Sequence, residues 1–159
     1  MCHKVADSRR DTQMLAGEYS HNIDSKGRLT IPSKFRKELG MDFMITKGMD
    51  GCLYIYPEAE WEQVADRLSE MSRTTNKVAR RFTRFMMAGA APGDIDKQGR
   101  VLLPKSLRDY AGLDKEVVLA GVLDRVEIWD REKWEQYQSQ DEMDIETLAS
   151  EMEEMGLSL

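Results

Sequence analysis

Cysteine is nearly absent from this chain. Cys2 and Cys52 stand alone, with no C-x-x-C pair, which excludes a disulfide framework and a thiolate-based zinc site. Histidine is as scarce, at His3 and His21, and no H-x-x-x-H spacing occurs. No glycine-rich phosphate loop of Walker or Rossmann spacing is present. Cys52, in an apolar run, reads as a small core residue and not as a nucleophile served by His21. No apolar run approaches the roughly 18 residues needed to cross a bilayer. Residues 1–13 are polar and charged without an apolar h-region, so they do not read as a secretory signal. These absences set the expectation of a cytoplasmic, non-enzymatic protein without metal, cofactor, membrane contact or small-molecule substrate.

Positive charge is outnumbered, with 23 Lys and Arg against 29 Asp and Glu. The net charge of −6 argues at first against a nucleic-acid partner. Its distribution reverses that argument. Asp141, Glu142, Asp144, Glu146, Glu151, Glu153 and Glu154 are crowded into the last residues, with no Lys or Arg among them. The rest of the chain is close to neutral, so local patches decide what it binds.

What the chain does have is a repeat. Asp24-Ser25-Lys26-Gly27-Arg28-Leu29-Thr30-Ile31-Pro32-Ser33-Lys34-Phe35-Arg36 returns as Asp96-Lys97-Gln98-Gly99-Arg100-Val101-Leu102-Leu103-Pro104-Lys105-Ser106-Leu107-Arg108. Each copy stops at a glycine, Gly40 or Gly112. Gly48, Ile55 and Trp61-Glu62-Gln63 are echoed by Gly121, Ile128 and Trp134-Glu135-Gln136, one residue further along. Two tandem units of roughly 50–55 residues are each marginal alone, so they are expected to pack together or with other chains.

Each unit reads as strand, loop, strand, short helix, strand, strand, then a helix. Glu18–Ile23 and Leu29–Ile31 flank a turn cluster and predict a hairpin. Pro32 and Pro104 suit the first turn of a helix that Gly40 or Gly112 ends. Phe43–Thr46 and Leu53–Tyr56 predict a second hairpin, echoed by Glu116–Ala120 and Val126–Trp129. Glu58 to Ala88 predicts one helix. At about 100° per residue, Arg73, Lys77, Arg80, Arg81 and Arg84 share one face, opposite Val78, Phe82, Phe85 and Met86. Gly89–Gly93 reads as a linker.

The chemistry lies in the D-x-x-x-R spacing of Asp24/Arg28 and Asp96/Arg100. Gly27 and Gly99 let each loop turn tightly and approach a partner closely. Arginine offers a rigid fork of donors suited to phosphate oxygens or to the N7/O6 edge of guanine. The aspartate can accept loop N–H bonds or pair with an arginine. A pair of purely structural salt bridges is the alternative, but two copies, each with an added lysine (Lys26, Lys97), favour an anion-binding surface.

Gly17-Glu18-Tyr19, followed by Ile23-Asp24-x-Lys26-Gly27-Arg28-Leu29-x-Ile31-Pro32-x-Lys34-Phe35-Arg36, resembles the MraZ family of bacterial transcriptional regulators. Asp96-Lys97-x-Gly99-Arg100-x-x-x-Pro104 resembles that family's second repeat, and the likeness runs from about Met14 to about Tyr137. The resemblance implies a mainly β (α+β) fold with short helices: a tandem AbrB-like swapped-hairpin β-barrel with inter-module and C-terminal helices. It implies a homo-oligomeric ring bound to double-stranded DNA at short G-rich direct repeats in promoters, and a nucleoid-associated location. Carried over by position, Lys26, Arg28, Lys97 and Arg100 are the DNA-binding residues, with Asp24, Gly27, Asp96 and Gly99 structuring the loops.

The expected organisation is an extension over 1–13, module one over 14–64, a basic helix and linker over 65–93, module two over 94–138 and an acidic tail over 139–159. The face of Arg73, Lys77, Arg80, Arg81 and Arg84 is expected to pack on a neighbouring subunit, with a second DNA surface as the alternative. Arg36 and Arg108 read as structural. Ile145, Leu148, Met152 and Met155 form an a/d-like stripe on the acidic tail. A ring-forming scaffold whose basic loops hold an acidic protein partner is the competing function.

Overall fold

The computed structural model describes residues 14–139 and 144–157; the extension expected over 1–13 lies outside them. The first module contributes β1 (Leu15–Asn22), β2 (Arg28–Thr30), α1 (Ser33–Leu39), β3 (Phe43–Lys47) and β4 (Leu53–Pro57), followed by α2 (Glu58–Ser72) and α3 (Lys77–Ala88). The second contributes β5 (Ala91–Gly93), β6 (Arg100–Leu102), α4 (Lys105–Ala111), β7 (Glu116–Leu123) and β8 (Arg125–Asp130), followed by α5 (Arg131–Ser139) and α6 (Ile145–Glu154). This is an α+β protein with a mostly antiparallel sheet and, among the described residues, six α-helices.

Six strands form one sheet in the order β1-β7-β8-β4-β3-β5, and β2 and β6 form a separate two-stranded ribbon. The sheet is open, with β1 and β5 at its edges, so the hydrogen bonding does not close a barrel. Its order has a pseudo-two-fold at the β8–β4 junction, where Leu53 faces Ile128 and Ile55 faces Val126. The leading strand of each module is given away. β1 runs antiparallel to β7 from Leu15↔Leu123 to Asn22↔Glu116, and β5 pairs with β3 at Phe43↔Gly93 and Ile45↔Ala91.

Two sequence expectations change here. The first anticipated hairpin closes only at its tip, by the Ile23↔Leu29 bridge and the Asp24 N–H to Arg28 carbonyl bond of 2.9 Å. Beyond the tip the strands part, because β1 finds its ladder on β7 and β2 finds its own on β6. Gly89–Gly93 is not simply a linker: Ala91–Gly93 is an edge strand, a place that tolerates Pro92 and its missing N–H. The second hairpins form as expected, at β3–β4 and β7–β8.

The long helix expected from Glu58 to Ala88 is two helices. Thr74, Thr75 and Asn76 interrupt it, since such side chains bond the local backbone in competition with the helix. Thr74 Oγ1 donates to the Met71 carbonyl, and Asn76 Oδ1 accepts the N–H groups of Val78 and Ala79, capping α3. Arg73 therefore ends α2 and lies outside the cationic helix. Val78, assigned to the apolar side, is exposed.

Leu29, Ile31, Phe35, Ile45, Val101, Leu103, Leu119 and Ile128 are among the fully enclosed side chains of the main core, drawn from both modules. Pro32 and Pro104 cap α1 and α4, turning Phe35 and Leu107 inward. The Phe35 ring meets Tyr19 of β1 edge-on, with centroids 5.1 Å apart. A second cluster of Tyr54, Tyr56, Leu68, Met86 and Trp129 seats α2 and α3, with Trp61 and Trp134 packed against it. Thr46, fully buried, donates to the Met86 carbonyl at 2.7 Å and ties α3 to β3. Phe35→Ala is expected to lower unfolding free energy by about 3–5 kcal/mol, measured by urea denaturation; a loss under 1 kcal/mol would place Phe35 outside the shared core.

Candidate nucleic-acid interface

The two D-x-x-x-R loops adopt the same structure. Asp24 Oδ1 accepts the main-chain N–H groups of Lys26 and Arg28, both at 2.9 Å, and Oδ2 accepts Arg28 Nε at 2.7 Å. Asp96 Oδ1 accepts those of Gln98 and Arg100, again at 2.9 Å, and Oδ2 accepts Arg100 Nε at 2.9 Å. The Gly27 and Gly99 N–H groups return to the Asp24 and Asp96 carbonyls at 3.0 Å, with φ of 80° and 77°. Such φ values favour glycine. Each aspartate thus holds its arginine's guanidinium by Nε alone. Among the described residues, the two terminal nitrogens of each guanidinium have no protein hydrogen-bond partner. The Arg28 and Arg100 side chains remain 30% and 27% exposed.

The main-chain N–H of Arg28 chiefly, and then its guanidinium, hold the Asp24 carboxyl below its ordinary value of 3.8. Arg100 does the same to Asp96. The ionised form is favoured in the folded loop. Its stabilisation is therefore present above the unfolded value and is lost as pH falls through the depressed folded one.

The modules brace one another's loops. The Ile31 N–H donates to the Gly99 carbonyl and the Leu103 N–H to the Gly27 carbonyl, both at 2.9 Å. Arg108 lays its guanidinium against Gly27, where an added Cβ would come within 3.0 Å of it. Arg36 lies against Gly99, where a Cβ would come within 2.4 Å of Nη1. Arg108 Nε also donates to the Leu103 carbonyl at 3.0 Å. Sequence reasoning placed Arg36 and Arg108 in their helices but missed that each supports the opposite module's loop.

The ribbon brings the two arginines onto one face. Arg28 stands opposite Leu102, Leu29 opposite Val101, and Thr30 opposite Arg100. Directly opposed side chains share a face and successive ones alternate. Leu29 and Val101, fully buried, point into the core. Arg28, Thr30, Arg100 and Leu102 therefore form the outer face, with the arginines as diagonal neighbours about 7–8 Å apart. Thr30 and Leu102 were not singled out from sequence; their i+2 spacing from each arginine was the available signal. Lys26 and Lys97 flank the ribbon, both exposed, at positions that are not equivalent in the repeat: Lys26 aligns with Gln98, and Lys97 with Ser25.

The other candidate residues lie elsewhere. Lys77, Arg80, Arg81 and Arg84 are exposed on α3, which packs on α2 and β3. Arg80 Nη1 donates to the Thr75 carbonyl, and no ion pair to these four occurs among the described residues. The stripe of Ile145, Leu148, Met152 and Met155 is exposed on α6. Cys52 is enclosed, donates to the Met49 carbonyl, and burial pushes its thiol up to about 12, the opposite of an activated nucleophile. Among the described residues, no group of three His, Cys, Asp or Glu could hold a metal ion, and no helix is long and apolar enough to cross a membrane.

A family model described as "MraZ protein, putative antitoxin-like" matches the chain twice, over residues 14–85 and 86–155. The chain is 51% identical over 144 residues to the "Transcriptional regulator MraZ" of Clostridium tetani, covering 91% of this chain and all of that protein. It is 52% identical over 136 residues to the protein of that name from Desulforamulus reducens, covering 86% of this chain and 95% of the relative. For the one from Caldicellulosiruptor saccharolyticus the identity is 48% over 144 residues, with 91% and 100% covered.

Two outcomes are expected of the loops. Carboxyl NMR titrations of Asp24 and Asp96 have midpoints below 3.8; midpoints at or above it would show that the N–H donors are not engaged in solution. Gly99→Ala, strained at positive φ and pressed on Arg36, loses about 1–3 kcal/mol of stability by urea denaturation; an unchanged midpoint would remove Gly99 from the bracing.

Proposed function

The chain belongs to the MraZ family, and from that premise we propose that it is a non-enzymatic, sequence-specific DNA-binding transcriptional regulator. The observation that carries this reading is the β2–β6 ribbon. The major groove admits a two-stranded ribbon, and bidentate arginine to guanine O6 and N7 is the commonest specific contact there. Arg28 and Arg100 stand on the ribbon's outer face with Nε engaged and the terminal nitrogens turned to no partner among the described residues. A fork oriented before binding loses less entropy on meeting a base than a free side chain does. Lys26 and Lys97 neutralise adjacent phosphates and release counterions. The relatives named as transcriptional regulators support the same conclusion.

The partner in this reading is promoter DNA carrying short G-rich direct repeats. One ribbon covers few bases, so useful affinity comes from several protomers of a homo-oligomeric ring engaging successive repeats. The exchanged strands are read as an AbrB-like swapped-hairpin pair. The α3 face of Lys77, Arg80, Arg81 and Arg84 and the stripe on α6 are surfaces for contacts between protomers. The protein acts in the cytoplasm, on the nucleoid.

Fluorescence anisotropy with G-rich direct-repeat duplexes and scrambled controls, over a salt series, tests the reading. Arg28→Ala is expected to weaken selective binding by about 1–3 kcal/mol per engaged guanine, and Arg28→Lys to keep salt-dependent binding while losing the preference for guanine. Equal binding of every duplex by the wild-type chain would move the function to an acidic protein partner.

A further inference from the structure

The ribbon has two-fold symmetry in its backbone and lacks it in its chemistry. The repeat relates Arg28 to Arg100 and Thr30 to Leu102, because each pair occupies the same place after Asp24 or Asp96. The antiparallel register then makes two unlike ends: Arg28 directly across from Leu102, and Arg100 directly across from Thr30. Leu102 is 59% exposed although Leu29 and Val101, one step away on the same strands, are fully enclosed. A lone exposed leucine is ordinary on a protein surface. What sets this one apart is its place, beside Arg28 on the only outward face of the ribbon.

An apolar side chain on such a face has one distinctive target in the major groove, the C5 methyl of thymine. Its hydrogen-bonding neighbours are read by arginine or threonine, but the methyl offers nothing to a donor. Directly opposed residues have Cβ atoms about 4.5–5.5 Å apart, and successive bases on a strand are about 3.4 Å apart. Leu102 therefore falls one or two base steps from the guanine that Arg28 reaches. At the other end Thr30 offers a hydroxyl that suits several base edges and a smaller apolar surface.

We infer that Leu102 is a specificity-determining residue that packs on the methyl group of a thymine beside the guanine read by Arg28, so that the ribbon distinguishes the two directions along the DNA. This rests on the ribbon being the DNA-reading element. It adds a base preference that the D-x-x-x-R loops do not encode. It also gives the direct repeats proposed above a physical reason: a ribbon with a leucine end and a threonine end fits each repeat in one orientation.

The test starts from duplexes selected by the full-length chain from a randomised pool. Each thymine near the selected guanines is then replaced by deoxyuridine, which keeps every hydrogen-bonding group and removes only the methyl. For the wild-type chain, one thymine position per repeat, on one side of the guanine, is expected to cost about fourfold in affinity per engaged repeat, the factor that burial of one methyl group represents. Leu102→Thr, which copies the other end of the ribbon with its smaller apolar surface, is expected to shrink the penalty for uracil while keeping the preference for guanine. Leu102→Ala is expected to show the same reduction, which separates the lost contact from any contribution of the new hydroxyl. Selection of guanines with uracil tolerated at every position, or an undiminished methyl effect in Leu102→Thr, would overturn the assignment and leave the DNA reading standing. Selection of no duplex at all would remove both.

Discussion

Everything in this molecule depends on neither module being able to complete its own sheet. β1 has its full ladder of partners on β7, and β5 has its partner on β3. The D-x-x-x-R loops obey the same rule, since the carbonyl of each loop glycine accepts an N–H from the other module's chain. Even the guanidinium packed on each loop belongs to the opposite half, Arg108 on Gly27 and Arg36 on Gly99. Separating the halves would undo the β1–β7 and β3–β5 ladders together and uncover the apolar core that both modules share.

That reciprocity gives the interface its rigidity. Arg28 and Arg100 are held at both ends of their argument: the backbone under them is pinned by Leu29 and Val101 in the core, and Nε is pinned by an aspartate. Around the ribbon, Arg28, Arg100, Lys26, Lys97 and the Arg36 and Arg108 groups packed on the loops stand against two aspartates, each already satisfied by its own loop.

What could be read in the sequence was whatever is decided within a few residues. The Asp24-to-Arg28 spacing encodes a closed set of local hydrogen bonds, and Pro32 with Gly40, or Pro104 with Gly112, punctuates a short helix. These features fold where periodicity and turn chemistry place them. Partnership was not legible. Two modules of the same plan satisfy the alternation of β1 equally well inside one unit or across two, and nothing in Leu15–Asn22 names Glu116–Leu123 as its neighbour. The break at Thr74–Asn76 was hidden because its flanks continue the helical pattern, and only the capping of Val78 and Ala79 by Asn76 ends the competition. The outer face of the ribbon, with Thr30 and Leu102, became visible only when the register put them across from Arg100 and Arg28.

Because both exchanged strands are carried on one polypeptide, the intertwined sheet forms by a first-order process. A pair of separate chains sharing strands in this way would come apart on dilution, and its stability would depend on protomer concentration. Here the partner hairpin is always present at the high effective concentration that a covalent connection supplies. The ribbon therefore needs no second chain to form. The same fusion frees the halves to diverge: a substitution in one loop is made once per ribbon, where a symmetric dimer would be obliged to make it twice.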